Sequence, residues 1–162
     1  MAKASRVNKL AVLSPTSVWA VGQKLTTQFS PYWPLTVFRP PTPSGGARPS
    51  GIAFDGANLW IANSNSNNIA KIRTSDATLL GTFGTGLAPL CPVYDGTNVW
   101  VANRGSGTVT KLRASDGANQ GTFSTGGSTP NHMVFDGDNI WVTNEFDDSF
   151  VKIRPSDGAQ VF

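Results

Sequence analysis

Apolar residues in this chain fall in short runs separated by glycine, aspartate, asparagine and serine, and no stretch sustains the three- and four-residue spacing of a helix face. The runs come in a fixed order. Ile52 to Phe54 leads into Asp55-Gly56, a dipeptide suited to the positive-φ geometry of tight hairpin turns. Asn58 to Asn63 follows, then Ile69 to Arg73, a turn at Ser75-Asp76, and Thr78 to Phe83 ending at Gly84 and Gly86. β-Branched and aromatic residues fill these segments, so the pattern predicts four antiparallel strands joined by tight turns.

The order then repeats. Gly51-Ile-Ala-Phe-Asp-Gly-Ala-Asn-Leu-Trp60 returns as Cys91-Pro-Val-Tyr-Asp-Gly-Thr-Asn-Val-Trp100 and again as His132-Met-Val-Phe-Asp-Gly-Asp-Asn-Ile-Trp141, with Trp19 marking a worn first copy. Trp19, Trp60, Trp100 and Trp141 stand 41, 40 and 41 residues apart, matching the roughly 40 to 45 residues of a four-stranded propeller blade. One such sheet cannot bury both its faces, so neighbours must stack around an axis. The expected fold is all-β: a β-propeller of about four blades of four antiparallel strands, either a partial ring or a fragment of a larger propeller. The blades divide as an irregular first blade at 1–47, then 48–86, 87–127 and 128–162. In the last, Ser156-Asp157-Gly158 aligns with Ser115-Asp116-Gly117, which places Phe162 near the middle of a truncated fourth strand. Unprotected blade edges leave three expectations: a fragment of a longer protein, two copies completing an eight-bladed ring by self-association, or a strained small ring. The repeated tryptophans, with Phe54, Tyr94 and Phe135, are expected between blades as core.

Composition narrows the function classes. The single cysteine, Cys91, excludes an internal disulfide and a cysteine-based zinc site. No apolar run reaches the roughly 18 to 20 residues needed to span a bilayer, so no membrane partner is expected. Lys3, Arg6 and Lys9 precede Leu10 to Leu13, but Ser14 to Ser17 interrupt that apolar run, so there is no clear signal peptide. A pI near 9.3 and a formal charge of +3 invite a nucleic-acid reading. The repeat weakens it: Lys71, Arg73, Lys111, Arg113, Lys152 and Arg154 recur on third strands and are balanced by aspartates 55, 76, 95, 116, 136 and 157 at turns. What remains is a basic beginning and an acidic end rather than a basic face.

The phrases Phe54-Asp-Gly-Ala-Asn-Leu-Trp-Ile-Ala-Asn63, Val109-Thr-Lys-Leu-Arg-Ala-Ser-Asp-Gly117 and Gly121-Thr-Phe123 resemble bacterial YncE-type propellers, relatives of the streptogramin lyases and NHL-like repeat proteins. The resemblance covers residues 48 to 162 and is poor over 1–47, where Tyr32 to Ser44 is rich in proline. It implies a propeller, most often of seven blades and frequently exported to the periplasm or beyond. It does not imply one activity, because the group holds lyases, lactonase-like enzymes and plain binding modules.

Ligand contacts are expected on the face formed by the loops between fourth and first strands and between second and third strands. There the copies differ: Gly51, Cys91 and His132 at the first strand, and Ser64, Arg104 and Glu145 after the shared Asn63, Asn103 and Asn144. Asn65-Ser-Asn-Asn68 becomes Gly105-Ser-Gly-Thr108 and then Phe146-Asp-Asp-Ser149. The ligand-face candidates are therefore His132, Glu145, Arg104, Asp147, Asp148 and Asn131. His132 with Glu145 has the chemistry of an acid–base pair, yet the resembling lyases draw His and Glu from several blades around a magnesium ion, and this chain has one of each. No catalytic or metal residue is assigned. Asp147 and Asp148 lack the glycine-rich spacing of a calcium loop, and Arg104 is expected to pair with this acidic loop. No Gly-x-Ser-x-Gly, Walker or His-Glu-x-x-His motif occurs.

Two readings follow. In the first, the chain is a propeller repeat module that presents a loop face to a protein, peptide or glycan, with no cofactor and no catalysis of its own. In the alternative, it is a fragment of a metal-dependent propeller enzyme, a lyase or lactonase, and a divalent cation enters only there.

Overall fold

A computed structural model describes residues 47–161; the expected first blade and Trp19 lie outside the described residues. The second and third copies of the repeat each form a four-stranded antiparallel sheet in simple sequential order. The first sheet comprises β1 (Pro49–Phe54), β2 (Asn58–Asn63), β3 (Asn68–Arg73) and β4 (Leu79–Gly84). The second comprises β5 (Pro89–Tyr94), β6 (Asn98–Asn103), β7 (Thr108–Arg113) and β8 (Asn119–Ser124). The last copy gives three strands, β9 (Pro130–Phe135), β10 (Ile140–Asn144) and β11 (Ser149–Ile153). An isolated bridge from Ile153 to Gln160 stands where the other copies begin a fourth strand.

The Asp-Gly turns show why the motif recurs with such fidelity. Gly56, Gly96 and Gly137 take φ values of 98°, 95° and 106°, which a side chain would resist. Each preceding aspartate then closes its own turn and reaches into the core. Asp95 Oδ1 accepts the backbone N–H of Asn98 at 2.6 Å and of Thr97 at 2.9 Å, while its Oδ2 accepts the Trp100 indole N–H at 2.7 Å. Asp55 with Trp60 and Asp136 with Trp141 repeat the bond at 2.8 and 2.6 Å. The fully buried Trp60 and Trp100 indoles would otherwise leave their N–H groups unsatisfied, so in those two copies the five-residue spacing from aspartate to tryptophan is a hydrogen-bond requirement.

Two apolar cores lie between neighbouring sheets. Trp60, Ala62 and Ile69 pack against Val99, Val101 and Leu112; Trp100 and Val109 pack against Ile140, Val142, Val151 and Ile153. Tyr94 and Phe135 line these junctions as expected, whereas Phe54 is largely exposed because it sits on the face of the first sheet that looks away from its described neighbour. The third-strand lysines do more than balance the turn aspartates. Lys71 is buried, with its ammonium 5.2 Å from the Trp60 ring, and donates to the Ala114 and Ser115 carbonyls of the next sheet at 2.7 and 3.2 Å. Lys111 does the same toward Pro155 at 2.6 Å. These lysines staple one blade to the next, which the sequence pattern could not show. The arginines Arg73, Arg113 and Arg154 do pair with turn aspartates, Asp76, Asp116 and Asp157, at 2.8 to 3.0 Å.

Candidate functional site

At the end of each blade opposite the Asp-Gly turns, the second strand finishes on the shared asparagine, and the next residue is held by the loop that precedes the blade's first strand. The Ser64 N–H donates to the Arg48 carbonyl at 3.0 Å, Arg104 to Ala88 at 3.2 Å and Glu145 to Thr129 at 3.0 Å. The backbone is therefore equivalent in all three copies while the side chains it displays are not. Asn103, fully buried, locks the same loop by accepting the Gly86 N–H at 3.0 Å and donating to Thr108 and Thr110.

The structure brings four loop-face residues together across two blades. The Arg104 guanidinium donates to Glu145 Oε2 at 3.0 Å, and Asn131 Nδ2 donates to the same oxygen at 3.2 Å. Arg104 also lies over the Phe146 ring, 5.8 Å from its centroid. Phe146 is the middle residue of a single 3₁₀ turn, Glu145–Asp147, and is 71% exposed. Sequence reasoning did not single out Phe146. The signal was there: an aromatic occupies the position that holds Asn65 and Gly105 in the other copies.

The other candidates go elsewhere. Asp147 accepts the backbone and hydroxyl hydrogens of Ser128 at 2.5 and 2.8 Å, which holds its carboxyl below the ordinary aspartate range. Asp148 adopts φ 46°, the left-handed turn position that Asn67 and Gly107 fill in the other copies. His132 is exposed, and its backbone N–H reaches the Thr143 hydroxyl at 3.3 Å. Glu145 is thus joined to Arg104 and Asn131, not to His132. Among the described residues no three of His, Cys, Asp and Glu gather closely enough to share a metal ion. Chemically, the cluster offers an aromatic face beside a half-exposed ion pair and an amide.

No protein-family model matches the chain, and no curated protein matches it by sequence. Solved structures do match. Hydrazine synthase from Kuenenia stuttgartiensis is 18% identical with a TM-score of 0.65, covering 80% of this chain and 38% of that one. Virginiamycin B lyase from Staphylococcus aureus is 20% identical with a TM-score of 0.61, covering 71% and 40%. The computationally designed Ika4 protein is 14% identical with a TM-score of 0.61, covering 70% of each chain. The described residues form part of a β-propeller. The match spans about two fifths of the two natural proteins, and at these identities the likeness concerns the fold alone.

Proposed function

We propose that this chain is a propeller repeat module of the YncE-type, streptogramin-lyase-like group that binds a protein, peptide or glycan through its loop face and performs no catalysis alone. One observation carries the reading: the loop-end hydrogen bond recurs in each copy, while Arg104 and Glu145 stand at the position of Ser64 and Phe146 at that of Asn65 and Gly105, and these side chains converge with Asn131. An exposed ring flanked by hydrogen-bonding groups supplies an anchor and orienting contacts at little entropic cost. Screening the purified chain on peptide and glycan arrays, followed by titration of any hit, tests this. Phe146→Ala and Arg104→Ala are expected to weaken binding at least tenfold; hits bound equally well by both variants would refute a loop-face site.

The enzyme reading has the fold likeness to virginiamycin B lyase in its favour. It requires catalytic groups from further blades, and it predicts metal-dependent turnover by a longer protein containing this chain that is lost on His132→Ala. Unchanged turnover in that variant would remove His132 from any such site.

A further inference from the structure

The side chains gathered around Phe146 limit what they can hold. Arg104 covers one face of the ring from the preceding blade, 5.8 Å from its centroid, and with 71% of the residue exposed the other face is left to solvent. That exposure belongs to the position: its counterparts Asn65 and Gly105 are exposed too, although a further described blade follows each of them. Beside the ring, Glu145 Oε2 accepts hydrogens from Arg104 and Asn131 at 3.0 and 3.2 Å. Among the described residues Glu145 Oε1 and Asn131 Oδ1 accept no hydrogen bond, and the guanidinium keeps N–H donors beyond the one it gives to Glu145. The two side chains of the ion pair are 41% and 45% exposed, so these spare groups are open to a ligand. The backbone donors of the same loops are spent: Gly105 N–H on the Leu87 carbonyl at 2.9 Å, Glu145 N–H on that of Thr129 at 3.0 Å, and Phe146 N–H on the Thr129 hydroxyl at 2.9 Å. An extended peptide therefore finds no main-chain donors to pair with here.

Resting on the loop-face reading above, we propose that the ligand is a neutral glycan, with one pyranose ring stacked on the free face of Phe146 and its hydroxyls bonded to Glu145, Asn131 and Arg104. A pyranose presents a face of C–H groups, which packs on an aromatic ring whose own faces carry partial negative charge. Around its rim each hydroxyl both donates and accepts, so two neighbouring hydroxyls satisfy a carboxylate or amide oxygen and a guanidinium N–H together. Arg104 and Glu145 neutralise each other, which leaves no charge for the ligand to balance. Asp147 and Asp148 on the same loop add negative charge, which disfavours uronates and other acidic sugars.

The test is calorimetric titration of the full chain with short oligomers of glucose, mannose and N-acetylglucosamine, and with a galacturonate oligomer as the acidic counterpart. At least one neutral oligomer is expected to bind, with an affinity that holds as salt is raised, and the galacturonate oligomer to bind at least tenfold more weakly. Phe146→Ala is expected to weaken binding at least tenfold and Phe146→Trp to preserve it, since the wider ring keeps the platform. Phe146 is exposed, so both variants are expected to keep the wild-type melt; should Phe146→Ala unfold, Asn131→Ala, expected to weaken binding severalfold, takes its place. No binding of any neutral oligomer, tighter binding of the galacturonate oligomer, or loss of binding at high salt overturns the glycan assignment. If arrayed peptides bind instead and Phe146→Ala and Arg104→Ala release them, the ligand class is wrong and the loop-face site stands. Oligosaccharide binding indifferent to both of those variants overturns the site as well.

Discussion

The two ends of each blade obey different rules. At the turn end, Asp55, Asp95 and Asp136 make the same bond to Trp60, Trp100 and Trp141, and Lys71 and Lys111 cross to the carbonyls of the following blade. At the loop end, equivalent backbones display serine, arginine or glutamate. The turn end is fixed because its polar groups are tied to buried partners, where a missing one costs a full desolvation penalty. The loop end is free to vary because its ion pair is half-exposed and contributes little to stability. Fixed and variable side chains are thus separated along each strand.

Substitutions should expose that separation. The largest effect is expected for Trp100→Ala, which empties the centre of the second core and should cost about 3–5 kcal/mol in denaturant unfolding. Asp95→Ala should cost about 1–3 kcal/mol by stranding the Trp100 indole and two turn N–H groups; a loss near zero would mean that water replaces the carboxylate.

Acid should act on the same end. Burial raises the Asp95 carboxyl, but the Trp100 and backbone N–H groups outweigh it and leave it below the ordinary value. The Trp141 indole and the Asn139 and Asp138 amides bring Asp136 down to about 2. Because these folded-state values lie below the unfolded value of 3.8, the stabilisation is complete above that value and is lost as pH falls toward 2. Tm should therefore drop between about pH 4 and pH 2, and Asp136→Asn should flatten part of that drop.

A smaller gain is expected at Ala77. It holds φ 56° where the next two copies use Gly117 and Gly158, each pressed against the phenylalanine of the preceding blade. Ala77→Gly should raise stability by up to about 1 kcal/mol in thermal unfolding, whereas Gly117→Ala should lower it by overlapping the Phe83 ring. Smallest of all is Arg104→Ala, expected within about 1 kcal/mol of wild type in stability, although the proposed loop-face site would lose at least tenfold in affinity. A stability loss as large as that of Asp95→Ala would erase the distinction between the two ends.

The sequence by itself determined the repeat, the four-strand order, the turn glycines and the tryptophan cores, because a period of about forty residues with Asp-Gly punctuation admits few other packings. It also brought Arg104 to the acidic loop, since equivalent positions on adjacent blades must be neighbours. Only the tertiary structure decided that Lys71 and Lys111 are inter-blade staples and that Glu145 joins Arg104 and Asn131. The physical reason is the same in each case. Periodicity fixes which face of a strand a residue occupies, but what that face meets depends on the blade beside it, and that neighbour lies about forty residues away in the chain.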